Sequence, residues 1–116
     1  MKKIGKEEYA LTDRIYSISE IKRIVAPIAL RHRLDRVFLF GSYARGTADS
    51  GSDIDLCVDA ANVKGMFALG GLYADLEDAL GKKLDLVTLN ALRAQADTRF
   101  LESMQKDGVL IYELSR

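Results

Sequence analysis

Two segments decide how this chain is read: Arg36-Val37-Phe38-Leu39-Phe40-Gly41-Ser42 and, after ten intervening residues, Asp53-Ile54-Asp55-Leu56-Cys57-Val58. The first is a short apolar run that stops at a glycine, the pattern of a buried strand. Residues 41–52 are rich in Gly, Ser, Ala and Thr, which predicts a turn, a short helix and then a loop. The second segment alternates strictly. In an extended chain Ile54, Leu56 and Val58 then face a core, while Asp53, Asp55 and Cys57 share the opposite face.

Working upstream, Ser17-Ile18-Ser19-Glu20 has the form of a capping box that opens a helix. Ile21, Ile24, Val25, Ile28 and Ala29 follow at helical spacing. Pro27 falls inside that pattern and is expected to kink or locally break the helix. His32 reads as a helix-end residue.

Downstream, Val63, Met66, Phe67, Leu69, Leu72, Tyr73, Leu76 and Leu80 recur at helical spacing over residues 63–80, and Gly81 is a natural stop. The pair Gly70-Gly71 costs that helix about 1 kcal/mol per glycine, which close packing against a neighbour would explain. Residues 83–87 read as a third strand, with Leu84 and Leu86 inward and Asp85 outward. A last helix carrying Phe100, Leu101 and Met104 is expected to end near Gly108, and residues 109–112 to close the sheet.

Strand, helix and strand over residues 53–87 form a crossover unit. Asp53 and Asp55 lie two residues apart on one strand and project together. Asp85 on a neighbouring strand completes a triangle. Three crowded carboxylates repel one another and lose hydration, and divalent cations relieve both. Mg²⁺ suits such a set, because it takes carboxylate oxygens together with water and substrate phosphate. The bend at Gly41-Ser42 lets backbone come close to an anion, and Ser42 adds a hydroxyl. Arg45, about one helical turn on, is a candidate phosphate ligand.

Taken together, Phe40-Gly41-Ser42-Tyr43-Ala44-Arg45-Gly46 and Ser52-Asp53-Ile54-Asp55-Leu56 resemble the defining motif of the DNA polymerase beta superfamily of nucleotidyltransferases. The short chain resembles its minimal nucleotidyltransferase branch, whose members often act as antitoxins to toxins of the HEPN family. The resemblance spans about residues 17–112. It implies an α+β fold, a small mixed β-sheet with helices packed on one face. It implies that Asp53 and Asp55 are metal ligands, and that Asp85 is the third carboxylate, helping to activate the incoming hydroxyl. Gly41 and Ser42 would contact the triphosphate of ATP or another NTP, and Arg45 would support it. Two Mg²⁺ ions, transfer of AMP to a tyrosine hydroxyl, and a HEPN-type toxin partner follow from the same resemblance. Two other readings stay open: an antitoxin that neutralises its partner by binding alone, and a nucleotidyltransferase acting on RNA.

Composition bounds these readings. The 116 residues suit one domain, here residues 1–116 with an N-terminal extension over 1–16 and a core over about 17–112. Polarity in the first ten or so residues suggests poor order there. Seventeen basic and seventeen acidic residues cancel, so direct nucleic-acid binding is not expected. The sum hides an asymmetry: residues 1–46 carry ten Lys/Arg against five Asp/Glu, and residues 47–116 carry seven against twelve. Chance and solvated helix faces account for it as readily as an acidic site beside a basic surface does. A lone Cys57 leaves no partner for a disulfide within the chain and reads as a packing residue. No apolar run nears a membrane span and none resembles a signal peptide, so a cytoplasmic protein is expected.

Overall fold

A computed structural model of the chain describes residues 12–95, 102 and 106–115. Helix α1 (Ile18–Arg31) is followed by β1 (Arg36–Phe40), the short α2 (Gly41–Arg45) and β2 (Ile54–Asp59). Then come α3 (Gly65–Leu80), β3 (Leu84–Thr88), α4 (Leu89–Gln95) and β4 (Val109–Glu113). The strands form one mixed sheet in the order β3-β2-β1-β4. β1 runs antiparallel to both β2 and β4, whereas β2 and β3 are parallel, with α3 as their crossover.

α1 starts where its caps dictate. The Glu20 amide donates to Ser17 Oγ at 3.0 Å, and the Ser17 amide donates back to Glu20 Oε1 at 2.8 Å. Such a cap contributes about 1 kcal/mol. The expected break at Pro27 does not occur, and α1 runs through it. The ring removes the N–H that would have met the Arg23 carbonyl. Both Pro27 and Arg23 lie on the exposed side of the helix, where water can take that carbonyl. His32 ends the helix, its amide donating to the Ile28 carbonyl. Its Nε2 lies 2.7 Å from Asp75 Oδ2, which ties α1 to α3.

The main core lies between the sheet and the pair α1 and α3. Ile21, Val25 and Ile28 of α1 meet Leu72, Leu76 and Leu80 of α3 over Val37, Leu39, Ile54, Leu56 and Val58. The alternation in β2 therefore points as the sequence predicts. α3 differs from expectation at its start: Met66 is 89% and Phe67 98% exposed. At 100° per residue, Leu69, Leu72, Leu76 and Leu80 form the inward stripe; Phe67 falls on the opposite side and Met66 at its margin. A Cβ at Gly70 or Gly71 would meet nothing within 4 Å, so no close packing explains that pair among the described residues. Gly81 does end α3, in the left-handed conformation at φ 64°.

The second face of the sheet is not bare. α4 begins directly after β3, with the Ala91 amide donating to Thr88 Oγ1 at 3.1 Å. It buries Leu89 and Leu92 against Cys57, with Phe38, Phe40 and Val87 around them. The two long helices thus share one face as expected, while this short one lies on the other. Cys57, fully buried, is the packing residue its position implied. The expected apolar residues Phe100, Leu101 and Met104 lie outside the described residues, as do residues 1–11.

Candidate active site

The acid-bearing end of the second face remains open. The parallel register sets Asp55 directly opposite Asp85, and Leu56 opposite Leu86. Asp53 precedes β2 by one residue, on the same side as Asp55. Asp53 and Asp85 are exposed and Asp55 is half-buried. Desolvation raises the Asp55 pKa from its ordinary 3.8 to about 6; the charges of Asp85 and then Asp53 add to the rise, and Arg45 opposes it. All three carboxylates and Arg45 therefore share one electrostatic neighbourhood.

Gly41 sits where β1 ends and α2 begins, with φ 74°. Its backbone is pressed against Asp55: a Cβ there would lie 2.0 Å from Asp55 Oδ2 and 3.0 Å from Cγ. This is why a glycine is required, on grounds of both conformation and space. No side chain caps the start of α2. Arg45 ends that helix, exposed, and Gly46 closes it at φ 79°.

The loop into Asp53 is built by its own polar groups. The Asp49 amide donates to Ser52 Oγ at 2.9 Å, the Gly51 amide to Asp49 Oδ1 at 2.9 Å, and the Ser52 amide to the Asp49 carbonyl at 3.1 Å. These bonds make residues 49–52 a compact turn. Across β3, Tyr73 of α3 donates its hydroxyl to the Leu84 carbonyl at 3.2 Å. Burial raises the pKa of Tyr73, and the charges of Glu77, Asp53 and Asp85 raise it further, so its hydroxyl feels the carboxylates' field from its place on the Leu84 carbonyl. Sequence reading missed Tyr73 in this role, because its spacing made it one more residue of the apolar stripe.

The donor set is all oxygen, and among the described residues no side-chain hydrogen bond or ion pair engages the carboxylates of Asp53, Asp55 and Asp85. The expected metal triad is not a closed cage, however: among the described residues no three His, Cys, Asp or Glu side chains are gathered tightly enough to hold an ion by themselves. An ion needing four protein ligands therefore finds no site here among the described residues. Mg²⁺ would need fewer, since it takes one or two carboxylates and completes its shell with water and phosphate.

A mixed sheet whose parallel β2–β3 pair presents aspartates beside a glycine–serine bend is the architecture of a nucleotidyltransferase. Residues 19–116 match the Polymerase beta nucleotidyltransferase family, and the chain belongs to it. A candidate protein adenylyltransferase of Methanocaldococcus jannaschii is 40% identical over 85 residues, which span 73% of this chain and 91% of the relative. The protein adenylyltransferase MntA of Shewanella oneidensis is 41% identical over 59 residues, 51% of this chain and 42% of the relative. A crystal structure of a toxin–antitoxin with AMP-PNP contains a chain that superposes with a TM-score of 0.66 at 28% identity, covering 81% of this chain and 74% of that one. Among the described residues no helix is long and apolar enough to cross a membrane.

Proposed function

We propose that this nucleotidyltransferase moves AMP from ATP to a hydroxyl of a HEPN-type toxin, a tyrosine by the family resemblance, and so acts as its antitoxin. The observation that carries the reading is the register that sets Asp55 against Asp85 next to the Gly41 bend. Support for the acceptor and the partner comes from a protein adenylyltransferase and a candidate one among the relatives, and from a structural match within a toxin–antitoxin.

In this reading Asp53 and Asp55 hold Mg²⁺ and Asp85 helps activate the incoming hydroxyl. Bound Mg²⁺ supplies positive charge to the phosphates and to the attacking oxygen. The chain's own work is placement. Gly41 and Ser42 receive the triphosphate, and Arg45 offsets its charge. The acceptor oxygen then bonds to the α-phosphorus as the bond to the bridging oxygen breaks and pyrophosphate departs. Positioning and charge neutralisation account for most of the rate.

ATP labelled at the α- or the γ-phosphate, incubated with Mg²⁺ and the partner, tests this. Label is expected on the partner from the α-position alone. Label from the γ-position alone would mean phosphoryl transfer and would end the proposal.

In a second reading the chain neutralises its partner by covering it, a role that needs none of the three carboxylates. The variant with Asp53, Asp55 and Asp85 all replaced by Asn separates the two. Loss of neutralisation with the complex still formed is expected. Full neutralisation by that variant would establish binding as sufficient.

A further inference from the structure

Lys82 is 2% exposed and is the one buried charged side chain among the described residues. A buried ammonium costs free energy unless it is paired. No carboxylate lies within ion-pair distance of it among the described residues. Its Nζ instead donates to the backbone carbonyl of Ser50 at 3.0 Å.

That carbonyl belongs to the turn that leads into Asp53. Residues 49–52 bond to one another internally, and among the described residues the Lys82 bond ties the turn to the segment that leads into β3. One residue on, the Lys83 carbonyl accepts from the Ile54 amide at 3.0 Å. Asp53 therefore lies between two anchors, Ser50 and Ile54, both held by the dipeptide Lys82-Lys83. The same segment continues into Asp85. It is itself fixed from behind: the Gly81 carbonyl accepts from the Thr12 amide at 2.8 Å, and the Leu80 carbonyl from the Tyr16 hydroxyl at 2.6 Å.

We propose that Lys82 is a positioning residue that clamps the 49–52 turn through the Ser50 carbonyl, and so holds Asp53 where it can share a divalent cation with Asp55 and Asp85. The inference rests on the reading of these aspartates as metal ligands. The role is mechanical, since the contact Lys82 makes is with the Ser50 backbone carbonyl and not with a carboxylate. An ammonium suits the task because a carbonyl held by a charged donor is held more firmly than by a neutral one.

The test compares the unaltered chain of residues 1–116 with Lys82→Met, which keeps length and volume and removes the charge, and with Lys82→Arg. Replacing an ammonium that has no carboxylate partner among the described residues with an apolar side chain of similar length is expected to leave the fold intact. Two readouts are independent of catalysis. Amide exchange at Gly51 and Ser52, with neither metal nor nucleotide, is expected to quicken at least about tenfold in Lys82→Met, while exchange in β1 and α1 stays unchanged. Mn²⁺ affinity by calorimetry is expected to weaken by about 10- to 100-fold, the range for partners that orient metal ligands. Lys82→Arg is expected to restore both in large part. Unchanged exchange in the turn, or unchanged Mn²⁺ affinity despite faster exchange, would overturn the proposal. A wild-type chain that takes up no Mn²⁺ would overturn the metal reading itself, and the exchange result tells that failure from failure of the clamp. Should Lys82→Met not fold, Lys82→Gln carries the same two measurements.

Discussion

Replacing Asp55 with Asn is expected to lower transfer by at least about a hundredfold, roughly 3 kcal/mol of lost transition-state stabilisation, while making the metal-free protein more stable at neutral pH. The two effects have one cause. Asp55 is half-buried and faces two like charges, so its carboxyl holds its proton up to about pH 6 in the fold and only to about 3.8 outside it. Between those values the folded chain binds more protons than the unfolded one, so stability falls as pH rises. Above about pH 6 the full penalty is present. Solvent reaches the group, so the expected gain from Asn is on the order of 1 kcal/mol and not the larger figure that unscreened charges would give. Denaturant melts of wild type and Asp55→Asn are expected to diverge between pH 4 and pH 7.5 and to converge at pH 4. Mg²⁺ is expected to narrow the gap at pH 7.5 by raising the wild type alone. An Asn variant less stable than wild type at pH 7.5 would refute the account of a carboxylate strained by burial and, next, by like charge.

Gly41→Ala is expected to be equally damaging to transfer, for a steric reason. The new Cβ would fall 2.0 Å from Asp55 Oδ2. That oxygen is the end of a side chain that can rotate, so Asp55 yields and the backbone does not. The stability cost is then chiefly that of an L-residue at φ 74°, about 1–2 kcal/mol. The catalytic cost is larger, because Asp55 is turned away from Asp85, and about a hundredfold or more is expected. Circular dichroism is expected to show a folded chain, and raising Mg²⁺ is not expected to restore activity. A Gly41→Ala protein with wild-type transfer would mean that the backbone–carboxylate contact has no part in the reaction.

The two variants separate charge from shape at one atom. Asp55→Asn keeps the side chain in place and removes its charge. Gly41→Ala keeps the charge and moves the side chain. Opposite changes in stability with a common loss of transfer are the signature of a site where a carboxylate is held part-buried beside like charges, a stability cost expected where function requires it.

Much of this protein is legible in short stretches of its chain. The Ser17–Glu20 box sets the start of α1 because both partners lie within one turn. Strict alternation from Asp53 to Val58 separates core from acid face because the pleat has a period of two. The glycine that ends α3 and the one that ends β1 announce backbone that other residues resist. These are local constraints, carried by residues near each other in sequence. The rest depends on pairings between distant segments, for which no local period exists. Asp85 meets Asp55, and not Asp53, because the β2–β3 register is set by how Leu84 and Leu86 seat against the core. Cys57 is buried on the acid face because α4 folds back over it. Tyr73 and Lys82 carry no motif at all. One reads locally as part of an apolar stripe and the other as an ordinary surface lysine, and only the closure of α3 onto β3 brings them to the Leu84 and Ser50 carbonyls. Local periodicity decides which face a side chain takes, and long-range packing decides what it meets there.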